Sequence, residues 1–310
     1  MSYFNTKLDF MLLYLNMKIT KNIIVFYHDH CLDGFASSYV ANKKFKDKAE
    51  YIPLSHNVSG EDILKDKKIK ISELKDKEVY FIDFCLKSIE LKKVQKVAKK
   101  LIVIDHHIGA KDLVESLPGS LFRDGVSGSY LAHEYFFPKK DIPKLIRYIS
   151  VGDTYTWGQE KFEQEILNYI NAQDFNFKVF SKMEKDLEDK NKFLEIKKTG
   201  ELLQKIKSRQ IDTQVKFSKV IDWEGYKVAV LNSTTLSSEI GNKLCVDNKV
   251  DFAMIYRFSE DELRFSLRGI GKVNLVEVVK KYNGGGHFNA VGFRTKDPKF
   301  INEFIKKIIS

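Results

Sequence analysis

Four apolar stretches of this 310-residue chain each end on, or just before, side chains that bind cations. IIVFY (residues 23–27) runs into His28, Asp29 and His30, with Asp33 close behind. VYFI (79–82) ends on Asp83, and LIVI (101–104) on Asp105, His106 and His107. The helical-looking IPKLIRYISVG (142–152) delivers Asp153. Continuous Val, Ile, Phe and Tyr runs of this length read as strands buried on both faces, hence a parallel sheet flanked by helices. The carboxyl ends of such strands converge on one crevice, where ligands bind. Carboxylates and imidazoles from distant parts of the sequence are therefore expected to meet, and hard oxygen mixed with imidazole suits Mn²⁺, Mg²⁺ or Zn²⁺.

A lone aspartate at a strand end ordinarily caps the following helix. Capping does not explain three strands and a helix that all end this way, nor two adjacent imidazoles. The pattern points to a metal-dependent hydrolytic site.

Length suits two domains. The 43% hydrophobic and 30% charged residues are ordinary for a globular protein. The net charge of +10 comes from scattered lysines, so it mildly favours a phosphate-rich substrate without establishing nucleic-acid binding. Three cysteines, Cys31, Cys85 and Cys245, show no CxxC pairing and point to a reducing compartment. FMLLYL near the N-terminus is too short to span a bilayer and lacks the features of a signal peptide. The expectation is a cytoplasmic protein without a membrane partner. Met17 resembles a natural start, which makes the beginning of the chain an extension.

The order of elements predicts an α/β protein. Residues 1–19 are the extension, and 20–190 form a parallel-sheet domain of βαβ units. In that domain a helix is expected over 34–45, a lysine-rich one over 88–100, and another opening at Ser127 or Ser129. From 162 to 218 the pattern is helical; the charged stretch 178–210 reads as the end of the first domain and a linking helix, with the linker over 191–219. Residues 220–310 form a smaller α/β domain, with a hairpin in WEGYKVAVLNS and two strands joined by a turn at 259–262. A glycine-rich loop, Gly284-Gly285-Gly286-His287, follows a short helix there.

A two-metal phosphoester site needs a carboxylate shared by cations about 3.5–4 Å apart. Asp83, at the end of a central strand, suits that bridge. Asp33, His106 and Asp153 complete one ion; His28 or His30 is needed for the other. His107 is placed to face substrate, and Asp105 to orient an imidazole. The glycine triplet lets backbone approach a phosphate or base, although one glycine there is expected merely as a helix C-cap. Arg268 offers a bidentate phosphate contact.

These residues resemble the DHH phosphoesterase superfamily, whose name matches Asp105-His106-His107. HDHCLDGFAS, FIDF, the triplet and VGDTYTW follow the family's order, and SLRG with GGGHFNAVGF resembles its associated C-terminal substrate-binding domain. The likeness runs from about residue 20 to the end. It implies a Mn²⁺-dependent phosphoesterase, with two ions and Mg²⁺ or Co²⁺ as substitutes. Asp33, Asp83, His106 and Asp153 would bind metal, His107 would contact substrate, and Arg268 with 284–287 would hold the nucleotide. One departure stands out. The family's first motif carries two aspartates as D-x-D; with Asp33 matched to the second, Cys31 occupies the place of the first. His28, His30 or Cys31 then replaces the missing ligand, or that ion binds weakly.

The function expected is hydrolysis of short oligonucleotides, RNA or DNA, or of linear dinucleotides to mononucleotides, by metal-activated water. The alternatives are an exonuclease like RecJ on longer single strands, which usually carries extra strand-binding domains, and a non-catalytic nucleotide-binding protein, which the intact acidic set disfavours. A family II pyrophosphatase would present basic residues where GGGH stands. A homodimer is compatible with the sequence.

Overall fold

The computed structural model describes residues 19–54, 69–154, 156–259 and 262–309. The expected N-terminal extension up to residue 18 and the tip of the turn at 260–261 lie outside them. Two compact units divide the chain, one ending at Leu203 and the other beginning at Gln204.

The first unit holds β1 (Ile23–His28), α1 (Leu32–Phe45), β2 (Ala49–Leu54), β3 (Glu78–Ile82), α2 (Ser88–Val97), β4 (Lys100–Asp105), α3 (Lys111–Glu115), β5 (Leu121–Phe122), α4 (Gly128–Phe136), α5 (Lys144–Thr154), α6 (Glu163–Asn171) and α7 (Phe177–Glu188). Its five strands are all parallel, in the order β2-β1-β3-β4-β5. Side chains alternate between two buried faces. Val25, Tyr80, Ile82, Ile102 and Ile104 join one core with residues of α1, α4 and α5. Ile24, Phe26, Val79, Phe81 and Val103 join another with Leu91 and Val94 of α2 and Val114 of α3. Burial on both faces is why the strands read as unbroken apolar runs. The two-residue β5 carries no such run and was invisible in the sequence.

The strand order reverses direction between β1 and β3, the switch point where doubly wound sheets leave a crevice. β1, β3 and β4 are neighbours, so residues just past their carboxyl ends share one rim.

The charged stretch holds two helices, α7 and the one that follows it. Asp189 accepts hydrogen bonds from the Asn191 and Lys192 amides, both at 2.9 Å, and starts α8 (Lys190–Val215) afresh. The unit boundary falls within α8, whose Ile196 belongs to the first unit's core and whose Ile211 and Val215 pack on the second's.

The second unit holds β6 (Lys219–Trp223), β7 (Tyr226–Asn232), α9 (Ser237–Asn248), β8 (Phe252–Ser259), β9 (Glu262–Gly269), α10 (Leu275–Lys280), β10 (Gly285–His287), β11 (Ala290–Thr295) and α11 (Pro298–Ile309). The sheet order is β10-β11-β9-β8-β7-β6, antiparallel except for β7–β8, which α9 connects. The glycine segment is not an open loop. Asn283, past the end of α10, is left-handed (φ 53°), the Gly284 amide bonds Val279 O at 3.1 Å, and residues 285–287 pair with β11 as an edge strand. A Cβ on Gly286 (φ 141°) would lie 2.3 Å from Ala290 O, so the fold requires that glycine. A Cβ on Gly285 would meet nothing within 4 Å.

In the first unit, α4 carries a buried histidine. His133 is 2% exposed, and its Nδ1 has no hydrogen-bond partner among the described residues. Burial, reinforced by Lys43, pushes its pKa below the usual 6.5. The unfolded chain therefore takes up a proton that the folded chain resists. This contribution to stability is present above pH 6.5 and is lost as pH falls below it. Urea unfolding from about pH 7 to about pH 5 should show wild type losing more stability than His133→Leu, because only wild type carries this linkage. Equal losses would contradict it.

Candidate metal centre

The rim of β1, β3 and β4 collects every first-unit residue expected at the site except His30. His28 is the last residue of β1, Asp33 lies in the first turn of α1, and Asp83 follows β3 directly. Asp105 ends β4 with His106 and His107 after it, and Asp153 sits in the last turn of α5. Their ligating atoms form overlapping groups, each within 4.8 Å: Asp83, Asp105, His106 and His107; Asp33, His106 and Asp153; and His28, Cys31 and Asp83. His30 stays out. Its backbone is left-handed (φ 55°) and its side chain is 90% exposed, beside Asp29.

Asp83 stands at the middle. It is 1% exposed, and its backbone takes φ 55°, a left-handed turn in which Asp is tolerated better than most residues. Its Oδ1 lies 3.1 Å from His106 Nε2, and its Oδ2 lies 3.5 Å from His28 Nδ1. The second distance is that of an ion pair rather than a hydrogen bond. Gly128 lets α4 begin against it, since a Cβ there would lie 2.6 Å from Asp83 Cβ.

Asp33 is held by that same helix start. Gly128 N donates to Asp33 Oδ2 at 2.7 Å, and Ser129 N to Oδ1 at 3.1 Å. Each oxygen keeps a further lone pair for a cation. Ser127 caps α4 by accepting from the Tyr130 amide, and its own amide donates to Ser150 Oγ at 3.0 Å, which ties α4 to α5 and so to Asp153. The sequence marks Ser127 only as a cap. That GVSGS fixes a carboxylate 95 residues upstream is legible only once α1 and α4 are seen packed together.

His107 has a different partner. Asp105 Oδ1 accepts from His107 Nδ1 at 2.7 Å and from the amides of His106 at 2.8 Å and His107 at 3.2 Å. This fixes the ring and turns Nε2 away from Asp105, the orienting role expected of that aspartate.

The electrostatics call for a cation. Burial would raise Asp83, but the hydrogen bond from His106 and the neighbouring His28 imidazole overcome it and hold the carboxyl below its usual range. Burial and the neighbouring Asp83 push both Asp33 and Asp153 upward. Burial opposes charge on His106, yet the bond to Asp83 and the surrounding carboxylates raise its pKa to about 9. Asp83 Oδ2 and Asp153 Oδ2 are buried with no hydrogen-bond donor among the described residues. Crowded carboxylates, adjacent imidazoles and donor-less buried oxygens fit a divalent ion, which relieves the repulsion and takes the imidazole as a neutral ligand.

The second unit holds the other expected residues. Arg268 Nε and Nη2 bond Ser238 Oγ at 3.2 and 3.1 Å, and Nη1 bonds Leu267 O at 2.8 Å. Ser238, at the start of α9, orients the guanidinium and carries no signal in the sequence. Positions 268, 290 and 287 form one register row across β9, β11 and β10, which places 268 and 287 about 10 Å apart.

A DHHA1 domain model matches residues 223–310. Uncharacterized protein R106 of Acanthamoeba polyphaga mimivirus is 30% identical over 292 residues, covering 87% of this chain and 66% of its own. Oligoribonuclease NrnB of Bacillus subtilis (strain 168) is 26% identical over 225 residues, covering 64% of this chain and 53% of its own. The chain thus spans only about half to two thirds of the length of these relatives. An exopolyphosphatase-related protein from Bacteroides fragilis shares the fold, with a TM-score of 0.52, 16% identity, and coverage of 97% of this chain and 94% of that one. Residues 223–310 carry a DHHA1 domain, and the motif order together with the parallel-sheet fold supports a DHH superfamily member.

Proposed function

We propose that the chain is a metal-dependent phosphodiesterase that hydrolyses short oligonucleotides or linear dinucleotides to mononucleotides. The observation that carries this reading is the meeting of Asp33, Asp83, His106 and Asp153 at the strand ends, with two carboxylate oxygens buried and lacking donors among the described residues. The similarity to an oligoribonuclease supports the nucleotide class.

Asp33, His106 and Asp153 would hold one ion, and Asp83 would share it with a second position; Mn²⁺ suits the oxygen-and-imidazole set. A divalent ion there supplies an activated water and neutralises charge developing on the phosphoryl oxygens. The protein's own groups do the rest. The Gly128 and Ser129 amides keep Asp33 from swinging away, and Asp83 holds the His106 ring. His107, oriented through Nδ1 by Asp105 and with its pKa net raised, since that bond outweighs burial, offers Nε2–H to a phosphoryl oxygen or the leaving group. Arg268, steered by Ser238, and the open side of Gly285 would take a nucleotide's phosphate or base. Incubation with Mn²⁺ and pApA, labelled oligomers of increasing length, cyclic dinucleotides and pyrophosphate tests the assignment. Fastest turnover of the shortest linear substrates supports it, and preference for long strands would favour the RecJ-like alternative.

Asp83→Ala should abolish hydrolysis, because a shared carboxylate that loses several kcal/mol of barrier lowering costs about a thousandfold in rate. A folded variant that keeps more than about a tenth of wild-type rate, within ~1.4 kcal/mol, would remove Asp83 from this role.

Gly285→Ala and His287→Ala probe the nucleotide contact. Gly285→Ala introduces a methyl group into open space and should leave the fold intact. His287→Ala should lose about 1–3 kcal/mol on pApA, the scale of a hydrogen bond to a charged group, and Gly285→Ala should weaken pApA because its methyl fills the space the nucleotide would approach. Both should keep hydrolysis of bis-p-nitrophenyl phosphate, which needs only the metal centre. Equal loss on both substrates would place this segment in the chemistry or the fold.

A further inference from the structure

The first family motif lacks its usual first aspartate, and the structure shows what stands there. Cys31 is the N-cap residue of α1, in extended conformation (φ −120°, ψ 136°), and its side chain makes no capping bond. Its Sγ lies with a ring nitrogen of His28 and a carboxylate oxygen of Asp83 in one group spanning no more than 4.8 Å. A single cysteine would carry nothing by itself. Here a second observation points to a ligand: Asp83 is 1% exposed, and its Oδ2, the oxygen nearer His28, has no hydrogen-bond donor among the described residues. Sulfur, nitrogen and oxygen ligand atoms thus gather at a buried carboxylate whose other oxygen, Oδ1, faces His106. Asp33, His106 and Asp153 form a separate, oxygen-rich group.

We propose that His28, Cys31 and Asp83 form a mixed imidazole–thiolate–carboxylate cation position, distinct in metal preference from the oxygen-rich position beside it. This inference rests on the proposed metal centre and deepens it. Thiolate ligands select softer ions, so this position takes Zn²⁺ or Co²⁺ in preference to Mn²⁺, while the Asp33–His106–Asp153 position keeps the ordinary hard-ion preference. The centre is then asymmetric, with Asp83 the one side chain common to both halves. The thiol proton leaves to bulk solvent as the ion binds, and no change of oxidation state is involved.

Cobalt tests this without reference to turnover. The metal-free protein is titrated with Co²⁺ while the near-ultraviolet and visible spectra are recorded, and bound Co²⁺ is counted by equilibrium dialysis. The same is done for Cys31→Asp and Cys31→Ser, with far-ultraviolet circular dichroism as the folding control. Asp and Ser are good N-cap residues, so both variants should retain α1. The expected result is an intense thiolate-to-cobalt charge-transfer band in wild type that is absent from both variants. Alkylation of one cysteine should be blocked by Zn²⁺ in wild type, with Cys31 identified as that residue by mass spectrometry. Cys31→Asp should bind Zn²⁺ about tenfold or more weakly and Mn²⁺ more tightly at this position. If Co²⁺ binds but the charge-transfer band is missing, or survives in Cys31→Ser, the mixed site is wrong while the metal centre stands. If dialysis finds no bound Co²⁺ at all, the metal-centre reading falls as well.

Discussion

One buried carboxylate organises the first unit. Asp83 follows a central strand in a left-handed backbone turn, shielded from water and facing His106 and His28. A charge in that environment is costly unless opposite charge surrounds it. The fold answers with two imidazoles from the flanking strands, but it also brings up Asp33 and Asp153, which make the deficit worse. A divalent cation relieves the repulsion among these carboxylates, and this is the physical reason for reading the crevice as a metal centre.

Everything nearby serves to hold that constellation. Gly128 clears space so that α4 can start against Asp83, and the first amides of α4 then fix Asp33. Ser127 and Ser150 link α4 to the helix that delivers Asp153. Asp105 is drawn into the turn after β4 and locks His107. Backbone amides and hydroxyls thus do most of the positioning, with the charged groups left over for chemistry. In the second unit the same division recurs, as Ser238 steers Arg268.

Much of this was legible in the sequence because it depends on local pattern. The runs at 23–27, 79–82 and 101–104 announce strands buried on both faces, and the residue that ends each run must lie at the sheet's carboxyl rim. The order of Asp83, Asp105-His106-His107 and Asp153 was therefore enough to gather a site. What escaped depended on tertiary contact. The hold of Gly128 and Ser129 on Asp33 comes from helix packing that no spacing encodes. The glycine segment looked like a loop because glycines are poor strand formers, yet pairing with β11 makes 285–287 an edge strand. His30 and Cys31 were equal candidates on paper, and the left-handed turn at residue 30 sends that imidazole into solvent.

The central claim is that Asp83 is the carboxylate common to two cations, and crystals of the cobalt-loaded protein test it most directly. Anomalous difference density should show two peaks about 3.5–4 Å apart, with Asp83 in contact with both. One peak would belong beside Asp33, His106 and Asp153, the other beside His28. A single peak, or two peaks that Asp83 does not join, would contradict the account.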